Sequence, residues 1–257
     1  MNRITQLFNS KPKNILSVFY TAGFPKLNDT TVIAKELERA GVDIIEVGIP
    51  FSDPVADGPV IQESNKIALD NGMNLKLLLQ QVKEIREESK LPIILMGYLN
   101  PVIQYGIEKF CEDAAEAGVD GVILPDLPLH EFEFEYKTLF EKNNLKNIFL
   151  ISPTTSDSRI KEIDAATNGF IYAVSASSTT GAKRNFSTDQ IAYFKKLQSV
   201  KLKNPFLIGF GISNHNAFAS ACEYSSGAII GSAFINAIKN AKDLSLEIRN
   251  FVNEIRG

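Results

Sequence analysis

The sequence predicts an α/β protein, a (β/α)8 TIM barrel with an extra N-terminal helix. Three observations carry this prediction. Short apolar runs alternate with amphipathic stretches about eight times. Most runs are apolar nearly throughout, as parallel strands covered on both faces are. The chain has 257 residues, close to the ~250 typical of one such barrel. An open doubly wound sheet would share the alternation, but no GxGxxG follows the first strand.

Strands are expected over 15–20, 42–47, 92–96, 119–124, 147–151, 170–174, 205–208 and 228–230. Helical spacing predicts a helix over 30–40 from Val32, Ile33, Leu37 and Ala40. Leu75, Leu78, Leu79, Val82 and Ile85 predict another over 75–88, and further helices are expected over 107–117, 129–143, 157–166, 189–200 and 214–222. Asn28-Asp29 and Ser187-Thr188-Asp189 read as helix starts, and Gly41 and Gly118 as stops. The echo of AGVDIIEV at 40–47 in AGVDGVIL at 117–124 fits a repeated helix-to-strand joint. A helix over 2–9 is placed to plug the barrel bottom, and one over 244–255 to close the outer ring. With no linker or low-complexity tract, residues 1–257 are expected to be one catalytic domain.

Composition narrows the function. A net charge of −3 and a pI near 5.6 give no basic surface for nucleic acid. Residues 1–6 lack an apolar signal core, and no apolar run approaches the ~18 residues of a membrane span. Cys111 and Cys222 stand alone, without CxxC spacing, which fits a reducing compartment and a cytoplasmic location. His130 and His215 are the only histidines and fall at helix or loop starts, so no metal site is expected.

The chemistry concentrates at expected strand ends, where barrel enzymes keep their reacting groups. Glu46 sits in an apolar run, although glutamate is rarely buried without a reason. The loop after it carries Pro50, Ser52, Asp53, Pro54, Asp57, Gly58 and Pro59, a stiff, turn-rich segment that delivers Asp57 to the same mouth. Tyr98 and Asn100 follow the third strand, Asp126 follows the fourth, and Tyr172 lies in the sixth. Gly209-Phe210-Gly211 and Gly231-Ser232 follow the last two strands. Glycines there let backbone N–H groups approach an anion, so a phosphorylated ligand is expected. Ser232 is able to cap its helix as well as donate to a phosphate.

These segments resemble the tryptophan synthase α subunit family over essentially the full chain. The matching stretches are 46–59, FYTAGFP at 19–25, MGYLNP at 96–101, PDLP at 125–128, GFGIS at 209–213 and GSA at 231–233. The resemblance implies retro-aldol cleavage of indole-3-glycerol phosphate to indole and glyceraldehyde 3-phosphate. Indole then passes to a β subunit that makes L-tryptophan with pyridoxal phosphate, a cofactor expected only there. It makes Glu46 the acid–base group and Asp57 the acceptor of the indole N–H. It places Phe19, Ile61, Met96, Tyr98, Ile123, Tyr172 and Phe210 around the substrate, with Gly181, Gly211, Gly231 and Ser232 at the phosphate and Thr180 on Asp57. It also implies an αββα heterotetramer whose interface includes Pro50, Ser52, Asp53, Pro54, Asn100, Pro101, Asp126 and Pro128. The chain departs from the familiar bacterial pattern over 175–183, where it lacks the Arg after the first Ser and the Gly-Val before Thr180-Gly181.

Rival readings fit less of the chain. A Schiff-base aldolase needs a strand lysine, and 170–175 has none. Another phosphate-binding barrel of tryptophan or histidine biosynthesis leaves the 51–59 loop without a purpose. A subunit that only activates its partner has no need of both Glu46 and Asp57.

Overall fold

The computed structural model describes residues 1–175 and 186–257. Its strands are β1 (Ile15–Thr21), β2 (Ile44–Gly48), β3 (Ile93–Met96), β4 (Gly121–Ile123), β5 (Lys146–Asn147), β6 (Leu150–Ile151), β7 (Ile171–Val174), β8 (Phe206–Gly209) and β9 (Gly227–Ile230). They form one parallel sheet in the order β5-β4-β3-β2-β1-β9-β8-β7-β6. The expected strand over 147–151 is divided into β5 and β6. Between them Ile148 N donates to Val122 O at 3.1 Å, and Phe149 O accepts from Tyr172 N at 3.0 Å. This short segment bonds to β4 at its start and to β7 at its end, and so closes a ring of eight staves.

Side chains alternate across the ring with period two. Leu16, Val18, Tyr20, Ile45, Val47, Leu95, Val122, Ala173 and Ile208 face outward into the larger apolar cluster. Ile15, Ile44, Ile94, Ile123, Ile148, Tyr172, Leu207 and Ile229 fill the interior. Glu46, two residues beyond Ile44, shares the inward face.

The N-terminal helix Arg3–Ser10 closes the barrel bottom, with Ile4, Leu7 and Phe8 joining the interior cluster. Asn2 fixes it by donating to Asp120 O at 2.8 Å and Asn144 O at 3.0 Å. Asp120 also receives Arg3 Nη1 at 3.1 Å, Arg86 Nη2 at 2.9 Å and Ile93 N at 3.0 Å. The last helix, Leu244–Arg256, packs against Asp29–Arg39 in the outer layer.

Helices Leu75–Glu88, Ile107–Ala117 and Asp157–Ala166 match their apolar spacing, and Ser187 forms the capping box with Gln190. Two differences have physical causes. Residues 129–143 form Leu129–Glu131, a π-helical turn Phe132–Tyr136, and Lys137–Lys142. Phe132 is buried there against Phe140 and Phe149, at centroid distances of 5.5 and 5.3 Å. The helix Pro59–Asp70 was hidden by its buried face, which includes Ser64 and Asn65 as well as Ala68. Pro59 stands in its first turn, where a missing N–H costs nothing.

Candidate active site

Glu46 is carried to the barrel interior by a strand whose five residues are all buried. Its register partners are Phe19 on β1 and Ile94 on β3. Oε1 accepts a hydrogen bond from Ser17 Oγ at 2.6 Å, and Oε2 is buried without a partner among the described residues. Burial raises the Glu46 pKa to about 7, and the Ser17 bond partly opposes that rise.

Asp57 is delivered by the loop after β2. Tyr98, in the loop after β3, donates its hydroxyl to Asp57 Oδ2 at 3.1 Å and accepts from Ala56 N at 3.1 Å. Phe51 packs on the Tyr98 ring at 5.2 Å between centroids. Burial raises the Asp57 pKa, while the Tyr98 bond lowers it. Tyr172 senses the two carboxylates. Its own pKa is raised first by burial and then by the negative charges of both Glu46 and Asp57. Both carboxylates are therefore near enough to the Tyr172 hydroxyl for their charge to act on it.

The apolar wall is built by neighbouring strands. The Phe19 ring lies over Gly48 and beside Gly231, and the Tyr172 ring and hydroxyl lie where Gly209 leaves no room for a Cβ. Met96 and Phe210 pack on the interior cluster, and Ile123 belongs to it. Phe210 stands edge-on to Tyr172 at 6.1 Å. Ile61, by contrast, packs against the outer cluster from helix Pro59–Asp70.

At the loop after β8, Phe210 has φ 70° and Gly211 φ 77°. A positive φ at a bulky residue stores strain, which clusters at functional turns. Ser175 ties this turn to the end of β7: its Oγ donates to Phe210 O at 2.5 Å and its N to Gly209 O at 2.9 Å. Gly231 caps the helix Ser232–Ile238, so Ser232 stands inside the first turn with its side chain exposed and is not the cap. Thr180, Gly181 and the pattern departure over 176–183 lie outside the described residues.

Of the residues expected at a partner surface, Ser52, Asp53, Asn100, Asp126 and Pro128 are exposed and Pro101 half-buried. Pro50 and Pro54 are buried and act as supports of the loop. Asp126 accepts from Leu99 N at 2.9 Å and so links the loops after β3 and β4. Among the described residues no cluster of three His, Cys, Asp or Glu is arranged to hold a metal. Sequence reasoning missed Ser17. A serine two positions before Phe19, in an apolar strand beside the one bearing Glu46, was the available signal.

The fold and site define a barrel enzyme with paired carboxylates and glycine-rich loops at one mouth. The family model described as tryptophan synthase alpha chain matches residues 6–255. The tryptophan synthase alpha chain of Parabacteroides distasonis is 55% identical over 240 residues, covering 93% of each chain. That of Flavobacterium johnsoniae is 52% identical over 256 residues, covering 100% of each. The solved tryptophan synthase subunit alpha from Legionella pneumophila superposes with a TM-score of 0.91 at 36% identity, covering 100% of this chain and 97% of the other. The chain belongs to the tryptophan synthase alpha chain family.

Proposed function

We propose that residues 1–257 work as one catalytic domain that cleaves indole-3-glycerol phosphate to indole and glyceraldehyde 3-phosphate. Glu46 and Asp57 carry the reaction. The observation that supports this most is the convergence of a fully buried Glu46 and the Tyr98-held Asp57 on Tyr172. Protonated Glu46 gives its proton to C3 of the indole, and the ring nitrogen takes on positive charge. Ionised Asp57 accepts the indole N–H and favours that cation. The Glu46 carboxylate then takes the proton of the side-chain hydroxyl. The C–C bond breaks, its electron pair returns to the ring, and Glu46 is protonated again. A pKa near 7 suits one group to both transfers. Phe19, Met96, Ile123, Tyr172 and Phe210 flank the indole, with Ile61 behind the wall. Gly181, Gly211, Gly231 and Ser232 meet the phosphate, and Thr180 meets Asp57.

Indole passes to a β subunit, which supplies the pyridoxal phosphate for joining it to serine, in an αββα heterotetramer in the cytoplasm. Three observations support the partner and the location. Val55, Ile103 and Phe134 are large apolar side chains exposed on the segments after β2, β3 and β4. Cys111 and Cys222 are free and buried. Among the described residues no helix is long and apolar enough to cross a membrane.

The test is release of glyceraldehyde 3-phosphate from indole-3-glycerol phosphate by the chain with and without β subunit. Cleavage should rise with β subunit and fall by at least a thousandfold, roughly the loss of a general acid–base group, in Glu46→Gln. Asp57→Asn should lose about a hundredfold or more, the scale of a lost electrostatic contact. Substantial cleavage by Glu46→Gln removes Glu46 from the mechanism.

A further inference from the structure

The inward positions of β1 up to the barrel mouth are Ile15, Ser17 and Phe19. Phe19 pairs in register with Glu46, and Ser17 pairs with Ile44, so Ser17 stands one step deeper than the glutamate. Its neighbours on that face, Ile15, Ile44, Ile94 and Ile229, are aliphatic. Packing alone would be served by another aliphatic residue, because a buried hydroxyl has to find a partner. Ser17 is 0% exposed and its partner is Glu46 Oε1, at 2.6 Å.

We infer that Ser17 is a positioning residue for the lyase reaction: its hydroxyl holds Oε1 of Glu46 and commits Oε2 to proton exchange with the substrate. The inference rests on the reading of Glu46 as the acid–base group. A carboxyl group has two oxygens and free rotation about its last bond. An enzyme that returns one proton to two different substrate atoms gains from presenting the same oxygen throughout. Ser17 can donate to Oε1 in both states, to the carbonyl oxygen of the acid and to the carboxylate. The bond is stronger to the carboxylate, so it also restrains the rise that burial imposes on the Glu46 pKa. No other described side chain hydrogen-bonds that carboxyl: Oε2 is without a partner. From β3 the facing residues are Ile94 and Met96, without charge. Among the described residues, Tyr172 on β7, Asp57 in the loop after β2 and Tyr98 in the loop after β3, which holds Asp57, are the remaining titratable groups at the site.

Ser17→Thr and Ser17→Val have nearly the same volume and differ in the hydroxyl, and Ser17→Ala removes the hydroxyl without adding bulk. Each variant, and Glu46→Gln, is assayed for cleavage in complex with β subunit across pH, with folding checked by thermal melting. Loss of the hydroxyl should lower kcat about tenfold with KM within about twofold, and should move the falling limb of the pH profile up by about one pH unit. Ser17→Thr should keep the wild-type limb and most of kcat. Wild-type kcat and limb in Ser17→Ala, or a Ser17→Thr no better than Ser17→Val, overturns the inference. If Glu46→Gln is inactive while the Ser17 variants behave as wild type, only the role of Ser17 falls. If Glu46→Gln still cleaves, the reading of Glu46 falls and takes the role of Ser17 with it.

Discussion

Glu46 shows how the active site works against the fold that holds it. Its carboxyl is fully buried and ionises only near pH 7, whereas an unfolded chain would ionise it near 4.5. Between those values the folded state binds more protons than the unfolded one, so this group's contribution to stability falls as pH rises. It is fully present below 4.5 and lost by about pH 7, a difference of about 3 kcal/mol. Glu46→Gln should therefore raise the melting temperature at pH 8 and leave it nearly unchanged at pH 4.5, while abolishing cleavage. A melting temperature unchanged at both values would mean the carboxyl is not desolvated as described. Tyr98→Phe acts on the other acid. It removes the donor to Asp57 Oδ2 and the acceptor of Ala56 N. The Asp57 pKa should rise, moving the acid limb of kcat/KM upward and lowering its maximum about tenfold, the worth of one charged hydrogen bond. The glutamate and aspartate were legible because charge in an apolar run, and Asp in a proline-rich loop, are anomalies. Ser17 left only a weak signal, since a lone serine in a strand looks like tolerated polarity until its register with the Glu46 strand is known.

Elements were legible where burial is one-sided or complete. Helix Leu75–Glu88 repeats leucine and isoleucine at helical spacing, and its bounds follow. Helix Leu99–Tyr105 buries only Val102, and Pro59–Asp70 buries serine and asparagine, so neither wrote an apolar stripe. The division of the fifth stave depends on which neighbour each peptide group meets, a long-range fact that no local pattern holds. The same is true of Asp120, an ordinary residue of a helix-to-strand joint in the sequence. In the folded chain its carboxylate is almost fully buried and gathers Arg3, Arg86 and the Ile93 N–H at the barrel bottom. Asp120→Ala would leave the largely buried Arg86 without its counter-charge, a loss of about 3–5 kcal/mol. The urea midpoint should fall accordingly. Because the cluster is at the end opposite the mouth, kcat per folded molecule should stay within about twofold. A large fall in kcat at full folding would show that the two ends are coupled.

The whole molecule divides its labour between those ends. The bottom is closed by the Arg3–Ser10 helix and its hydrogen bonds to Asp120 and Asn144. The mouth holds the carboxylates, and the segments that follow β2, β3 and β4 expose large apolar side chains. Val55 is 85% exposed and Phe134 76%, and a partner seated on the segments after β2 and β4 would cover them. Ile103, 48% exposed, lies on the segment between them in chain order. A product as apolar as indole is best transferred where water is already excluded, so the proposed function expects the β subunit to cover these side chains. Leu246, 47% exposed on helix Leu244–Arg256, provides the control, because it has similar exposure in the outer layer. Val55→Asp, Ile103→Asp and Phe134→Asp should each weaken β-subunit binding at least tenfold in a titration of cleavage rate, with unchanged melting of the isolated chain. Leu246→Asp should leave the titration unaltered. Equal weakening by all four would mean that added charge, and not position, is responsible. No weakening by the first three variants would move the docking surface elsewhere. Loss of stimulation with full basal cleavage in those three would separate the two tasks of this barrel, its own reaction and delivery of its product.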